Sequence, residues 1–258
     1  MAVEYTREES IGYITLNHPP ANSYDYSFME ELGACIQSAT DDEGARVVVL
    51  RSAIDRFFSA GADVKAFNEN PTEKNMDMIR LAHRSLGRIA EIPKIFIAQI
   101  GANALGGGLE MALACDLRFG AEGEYYLGVP ESTLGLLPGN GGTQRLVRLI
   151  GWNKALDLMV TGRTLSPVEA YELGILDRLF STGQLVEETT KYADSLAAGA
   201  AKAIGSIKLS VHQGKEKTLE DGLRLERELV EVLFRSEDGQ EGLQAFLEKR
   251  KPEFSKSV

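Results

Sequence analysis

Residues Ala104–Leu117 read ALGGGLEMALACDL, three consecutive glycines followed by an apolar run that one carboxylate, Glu110, interrupts. The preceding run, Lys94–Ile100, is typical of a β-strand. The stretch therefore predicts a strand that leads through a glycine turn into a buried helix. A helix N-terminus carries free N–H groups and partial positive charge, and glycines allow a ligand to approach them closely. This pattern predicts a backbone-built site for an oxyanion or a polarised carbonyl oxygen.

A second glycine-containing loop, FFSAGADVKAF at Phe57–Phe67, follows another predicted strand and can supply a further amide to the same oxygen. A second acid, Glu131, lies in GVPESTLGLLPGNGG, beside an apolar run. When the surroundings of two carboxyl groups give them different pKa values, the ionised group can act as the base and the protonated group as the acid. Alone, each loop can be an ordinary turn, and Glu131 can be an acid in a first helical turn. Together these features favour a catalytic site.

Strand patterns alternate with helical patterns along the first part of the chain, which predicts an α/β fold. The predicted strands are Ile11–Leu16, Arg46–Leu50 and Lys94–Ile100, with shorter extended pieces at Asp116–Phe119 and Tyr125–Leu127. The predicted helices are Ser27–Thr40, Asn75–Ile92, Thr218–Phe234, Asp238–Arg250 and one that a capping box at Ser166–Glu169 begins and Gly174 ends. We expect an α/β core over residues 1–195 and a helical region over residues 196–258.

Composition and charge exclude several classes of function. The net charge of −10 disfavours nucleic acid as the main partner. We expect no membrane association and a cytoplasmic location, because no apolar run is long enough to span a bilayer and the N-terminus is acidic.

Cys35 and Cys115 are interpreted as buried thiols of a reducing compartment. No P-loop, H-E-x-x-H or C-x-x-C motif is present, so no metal site is expected. The three histidines (His18, His83 and His212) are interpreted as structural or solvated.

Four segments in a fixed order, AGADVKAF, ALGGGLEMALACDL, PESTLGLLPGNGGTQRL and TGRTLSPVEAYELGIL, resemble the crotonase (enoyl-CoA hydratase/isomerase) superfamily. The resemblance covers nearly the whole chain. It implies a spiral of repeated ββα units, followed by C-terminal helices that drive assembly into a homotrimer or a homohexamer built as a dimer of trimers. It also implies an acyl thioester of coenzyme A as substrate. No separate cofactor is expected, since coenzyme A is part of that substrate.

The resemblance also implies roles for particular residues. The amides of Ala62 and Gly107 would form an oxyanion hole for the thioester carbonyl. Phe246 and Lys249, in the basic tail FLEKRKPEF, match positions where the C-terminal helix, often from a neighbouring subunit, covers the nucleotide end. The charge of this tail alone would suggest only a solvated helix end. The further substrate-binding residues that the motifs imply are Ala60, Asp63, Lys65, Gly106, Gly108, Pro130 and Gly139.

Acids at both the Glu110 and Glu131 positions are typical of hydratases within this family. The resemblance therefore implies reversible syn addition of water to a 2-enoyl-CoA, giving a 3-hydroxyacyl-CoA. Glu110 would deprotonate the water that attacks C3, and Glu131 would protonate C2, although the sequence does not decide which glutamate transfers which proton. The alternatives are an enoyl-CoA isomerase or an acyl-CoA hydrolase on the same scaffold, and a non-catalytic or RNA-binding relative.

The departures from the family pattern concern the substrate. Many relatives have Ala where this chain has Asn140, which adds a polar side chain close to Glu131. Tyr24 and Tyr26 lie in a region that borders the coenzyme A site in relatives. The polar segment Asn68–Met78 corresponds to the loop that shapes the acyl pocket, although its polarity favours a plain surface loop.

Overall fold

The computed structural model describes residues 1–255, and this part of the chain forms nine β-strands and eleven α-helices. The strands are β1 (Val3–Glu8), β2 (Ile11–Leu16), β3 (Val47–Ser52), β4 (Phe57–Ser59), β5 (Ile95–Ile100), β6 (Asn103–Leu105), β7 (Leu117–Ala121), β8 (Leu127–Gly128) and β9 (Arg178–Phe180). The helices are α1 (Tyr26–Asp41), α2 (Val64–Glu69), α3 (Thr72–Arg88), α4 (Gly107–Ala114), α5 (Gly142–Ile150), α6 (Trp152–Thr161), α7 (Pro167–Glu172), α8 (Leu185–Ala197), α9 (Ala201–Gly214), α10 (Leu219–Phe234) and α11 (Glu237–Glu248). Short 3-10 helices span Ile89–Glu91 and Pro130–Leu134.

The strands form two sheets. The larger sheet has the order β1-β2-β3-β5-β7-β9, in which β1 and β2 are antiparallel and all other neighbours are parallel. The smaller sheet, β4-β6-β8, is parallel throughout. From β3 onward, successive strands contribute alternately to the two sheets. Because β4 and β6 are parallel neighbours, the loops that follow them lie next to each other.

The inner strands of the larger sheet are buried on both faces, and their sequence shows why. Val48 and Leu50 of β3 face the main core with α1 and α3, while Val47 and Val49 face a second cluster that α8 covers. Side chains alternate between the faces of a strand, so a strand covered on both sides needs a continuous apolar run. The run at residues 47–50, VVVL, meets this requirement.

The α/β class predicted from the sequence is confirmed. The predicted strand Ile11–Leu16 coincides with β2, and the capping box is present, with Ser166 and Glu169 bonding each other at the start of α7. The predicted helix Asn75–Ile92 begins earlier, at Thr72, and its last turn is a 3-10 helix. The edge strands β1 and β9 were not predicted. The boundary expected after residue 195 falls inside α8 and stays a prediction.

A buried charge network fastens α9 to the sheet. Lys208 Nζ lies 2.8 Å from Asp116 Oδ2 and donates to the carbonyl of Lys94 at 2.7 Å. His212 Nε2 lies 2.8 Å from Asp116 Oδ1, and the N–H of Phe96 donates to Asp116 Oδ2. The side chains of Lys208 and Asp116 are 1% and 8% exposed, so each charge depends on the other for compensation.

Replacing Lys208 with Met should leave the Asp116 carboxylate buried with its main charge partner removed. Loss of one partner of a buried ion pair typically costs about 3–5 kcal/mol. We expect the free energy of unfolding, measured by urea denaturation at a fixed protein concentration, to fall by that amount. Lys202→Met, at an exposed position of the same helix, is the control and should change the free energy little. Equal stability of the two variants would contradict the role assigned to the network.

Candidate active site

The two glycine loops predicted from the sequence meet at the N-terminus of α4. Gly106, with φ of 53°, is the N-cap residue between β6 and α4, and the helix begins at Gly107. A Cβ placed on Gly108 would lie only 2.3 Å from the carbonyl oxygen of Ser59, so α4 reaches β4 because this position has no side chain. In the other loop, the Cβ position of Gly61 lies 3.2 Å from the Gly107 nitrogen.

Two backbone N–H groups remain without partners where these loops meet. Ala62 forms a parallel bridge with Tyr24, in which the Tyr24 N–H donates to Gly61 O and the Asp63 N–H donates to Tyr24 O. This pairing leaves the N–H of Ala62 unused, and Gly107, as the first residue of α4, has no acceptor within its helix. Neither N–H donates to any of residues 1–255. Both are therefore available to a ligand oxygen.

Glu110 lies in the first turn of α4 and is 1% exposed. Its Oε1 accepts the backbone N–H groups of Asn140 and Gly142, each at 2.7 Å. Burial raises the pKa of Glu110 to about 7, and the charge of Glu131 contributes to the rise, whereas the two amide bonds oppose it. One carboxylate oxygen is thus anchored, and the group exchanges a proton near neutral pH.

Glu131 lies on the 3-10 helix Pro130–Leu134, on the far side of the glycine turn. A Cβ placed on Gly106 would lie 2.9 Å from its Oε1. Its Oε2 is buried and bonds to no group within residues 1–255. Burial raises the pKa of this carboxyl group as well. The arrangement therefore places two acids with raised pKa values beside two unused amide donors.

The remaining predicted substrate-binding residues of the loops surround this centre. The N–H of Ala60 bonds to Ala21, and Pro130 begins the 3-10 helix that carries Glu131. Gly139 precedes Asn140, and its carbonyl oxygen lies 2.6 Å from a ring nitrogen of His83.

Asp63 and Lys65 follow the bridge at Ala62. The Asp63 carboxylate is the N-cap of α2, where it accepts the N–H groups of Lys65 and Ala66 at 3.0 and 3.1 Å. The Lys65 side chain is exposed and remains able to reach an anionic group at the surface. The structure therefore gives Asp63 a capping role that the sequence did not indicate.

Phe246 and Lys249 are not brought to the loops by this single chain. They lie at the C-terminal end of α11, which packs against α10. Phe246 is 82% exposed, and Lys249 is the exposed C-cap residue in a left-handed conformation. A role at the nucleotide end of a ligand would require these residues to come from a neighbouring subunit.

Two contributors to the site were not assigned a role from the sequence. Asn140 is 2% exposed, and it bonds Glu110 through its main chain and the Tyr24 hydroxyl through its side chain. Tyr24 is 3% exposed, and burial together with the charges of both glutamates raises the pKa of its hydroxyl. The departures noted in the sequence, Asn140 and the tyrosines Tyr24 and Tyr26, were the signals that pointed here.

The thiols and imidazoles lie outside this arrangement. Cys35 and Cys115 are both buried and free, as predicted. Within residues 1–255, no group of three or more His, Cys, Asp and Glu side chains could hold a metal ion. The three histidine rings each lie within hydrogen-bond distance of a partner, namely Ser23 O for His18, Gly139 O for His83 and Asp116 for His212. No helix in this range has the length and apolar character needed to cross a membrane.

Comparison with known proteins relates this chain to one family. The enoyl-CoA hydratase/isomerase family pattern matches residues 6–257. A probable enoyl-CoA hydratase of Bacillus subtilis is 38% identical over 98% of each chain, and one of Rhizobium meliloti is 38% identical over 95% of this chain and 94% of its own.

Solved structures agree with this relationship. An enoyl-CoA hydratase of Geobacillus kaustophilus is 42% identical, with a TM-score of 0.97 over 99% of this chain and 97% of its own. An enoyl-CoA hydratase of Bacillus anthracis is 34% identical, with a TM-score of 0.94 over the full length of both chains. The crotonase-type fold implied by the sequence is thereby confirmed, and the chain belongs to the enoyl-CoA hydratase/isomerase family.

Proposed function

We propose that this protein is an enoyl-CoA hydratase, which adds water reversibly to a 2-enoyl-CoA and gives a 3-hydroxyacyl-CoA. The observation that carries this proposal is the pair of carboxyl groups near the unused amides of Ala62 and Gly107, namely Glu110, which is buried, and Glu131, which is half-buried with a buried Oε2. The full-length similarity to probable enoyl-CoA hydratases supports the same activity.

The oxyanion hole is assigned to the two amides. The thioester carbonyl oxygen would accept the N–H groups of Ala62 and Gly107, so that negative charge developing on this oxygen is stabilised. Removal of one such donor typically costs about 2.7–4 kcal/mol of transition-state stabilisation. The same bonds polarise the conjugated double bond and make C3 electrophilic.

The two glutamates handle the protons. Glu110, held at Oε1 by two amides, would use its other oxygen to take a proton from water as the water oxygen bonds to C3. The electron pair moves from the double bond toward the thioester, giving an enolate-like species in the oxyanion hole. Glu131, whose buried Oε2 bonds to no group among residues 1–255, would then donate a proton to C2. The sum of these steps adds H and OH across C2 and C3 and requires no separate cofactor.

The protein is proposed to act as a homotrimer or a homohexamer in the cytoplasm. Large apolar side chains are exposed on α6, α10 and α11, including Trp152 at 67%, Phe234 at 59% and Phe246 at 82%. Such exposure is typical of subunit contacts. Assembly would also allow Phe246 and Lys249 to cover the coenzyme A end of a substrate bound by a neighbour. The buried free thiols are consistent with a reducing compartment.

The activity is tested with crotonyl-CoA. Loss of the enoyl absorbance together with formation of 3-hydroxybutyryl-CoA is the expected result. Release of free coenzyme A would instead indicate a hydrolase, and turnover restricted to 3-enoyl-CoAs would indicate an isomerase. Absence of hydration across short, medium, branched and cyclic 2-enoyl-CoAs would contradict the proposed function.

Glu110→Gln and Glu131→Gln should each lower kcat by about 100-fold or more, because each removes one proton-transfer group while keeping its size. Binding of a saturated acyl-CoA, measured by calorimetry, should change little. Glu124→Gln, at an exposed position, is the control. Near-normal kcat in both active-site variants would show that the residues are wrongly assigned.

The pH dependence of kcat/KM should be bell-shaped, because the reactive pair holds one proton, on Glu131, while Glu110 is ionised. Above pH about 7 Glu110 loses the last proton that the pair can share, so no acid remains and the rate falls; at lower pH both carboxyl groups are protonated, so no base remains. In Glu131→Gln the pKa of Glu110 should decrease, since a neighbouring charge that raises it is gone. The residual activity should then only rise with pH. An unchanged bell-shaped pH profile of kcat/KM in this variant would refute the coupling of the two groups.

A further inference from the structure

The side chain of Tyr24 occupies the space above the first residue of α4. Its backbone pairs with the loop that carries Ala62 through the parallel bridge between the two residues. A Cβ placed on Gly107 would lie 1.8 Å from the Tyr24 hydroxyl oxygen, so the phenol occupies the place that a side chain at position 107 would take. Position 107 can be filled only by glycine while Tyr24 adopts this orientation.

The Tyr24 hydroxyl oxygen accepts a hydrogen bond, but its own proton has no acceptor among the residues that the structure describes. Asn140 Nδ2 donates to its oxygen at 2.5 Å, which directs the phenolic proton away from Asn140. Within residues 1–255, no group accepts that proton, although Tyr24 is only 3% exposed. A buried donor without an acceptor is costly, and in native proteins such a group often has a functional role.

The phenol keeps its proton at neutral pH. Burial raises the pKa of Tyr24 well above its usual value, and the charges of Glu110 and Glu131 raise it further, which outweighs the opposing bond from Asn140. The hydroxyl therefore acts as a hydrogen-bond donor within electrostatic reach of the two glutamates.

We propose that Tyr24, held by Asn140, is a specificity-determining residue that donates its phenolic hydrogen bond to a neutral oxygen on the acyl chain of the substrate. The inference rests on the proposed hydratase function and deepens it by naming a substrate class, 2-enoyl-CoAs whose acyl chain bears a hydroxyl, keto or ether oxygen. A carboxylate is a poorer fit, because Glu110 and Glu131 lie beside the donor and repel negative charge.

The main chain and the side chain of Asn140 have separable roles. Its N–H donates to Glu110, whereas its Nδ2 donates to Tyr24. Asn140→Ala retains the bond from its N–H to Glu110 and removes the bond from its side chain to Tyr24. The Tyr24 hydroxyl then loses its donor, whereas the Glu110 carboxylate keeps both backbone bonds. This substitution therefore addresses the orientation of Tyr24 without removing the hydroxyl itself.

The test uses substrate pairs of nearly equal size that differ in one oxygen. 4-Hydroxybut-2-enoyl-CoA is compared with pent-2-enoyl-CoA, and 5-hydroxypent-2-enoyl-CoA with hex-2-enoyl-CoA. In at least one pair, the wild-type protein is expected to prefer the hydroxylated member by about tenfold or more in kcat/KM.

Tyr24→Phe should abolish this preference, and Asn140→Ala should reduce it. Tyr171→Phe, which removes an exposed hydroxyl on α7, is the control and should retain it. Circular dichroism and the thermal midpoint verify that each variant is folded. Binding of 4-hydroxybutyryl-CoA and pentanoyl-CoA, measured by calorimetry, provides the same comparison without turnover.

The outcomes separate this inference from the proposed function. Hydration of all the substrates without preference, or a preference that survives Tyr24→Phe, would overturn the inference and leave the hydratase intact. An equal decrease in kcat for every substrate in Tyr24→Phe would place the phenol at the thioester carbonyl and also overturn it. Absence of hydration with a Tyr24-dependent binding preference would refute the hydratase function and support the contact.

Discussion

The first turn of α4 lies in direct contact with the backbone of β4, where a Cβ on Gly108 would be 2.3 Å from the Ser59 carbonyl oxygen. This close approach determines where the other groups of the site can lie. It brings the Gly107 nitrogen beside the loop that carries Ala62, and it turns the free N–H groups of a helix terminus toward a shared space. A larger residue at position 108 would separate the two amides, since the sheet behind them is closely packed and cannot yield.

Two carboxyl groups lie beside those amides, and burying their charges costs free energy. The surroundings of Glu110 and Glu131 reduce this cost to different extents. Glu110 is buried but accepts two backbone N–H groups from the start of α5, so its charged form is partly stabilised. Glu131 receives no such support at Oε2 from the part of the chain that the structure describes. Burial raises both pKa values, and mutual repulsion favours retention of one proton by the pair. This protonation state is the one that the addition of H and OH across a double bond requires.

The features that were predictable from the sequence are those that short segments encode. The strand before the glycine turn, the helix that begins at Gly107 and the acid in its first turn form a continuous stretch whose chemistry is visible in its letters. The contacts that the sequence did not reveal join distant segments. Asn140 meets Tyr24 across 116 positions, and Lys208 meets Lys94 across 114. No local pattern encodes such pairs, because burial and register, rather than spacing, bring them together.

Asn140 links the chemistry of the site to its choice of substrate. Its main chain anchors the Glu110 carboxylate and its side chain orients the Tyr24 hydroxyl, so one residue fixes the geometry of both groups. A substrate oxygen that engages Tyr24 would therefore also stabilise the segment that holds Glu110. Binding energy from a part of the acyl chain that does not react can then contribute to alignment of the base with C3, which raises kcat rather than only lowering KM. In a pocket arranged in this way, selectivity and catalytic rate are expected to change together when the acyl chain is varied.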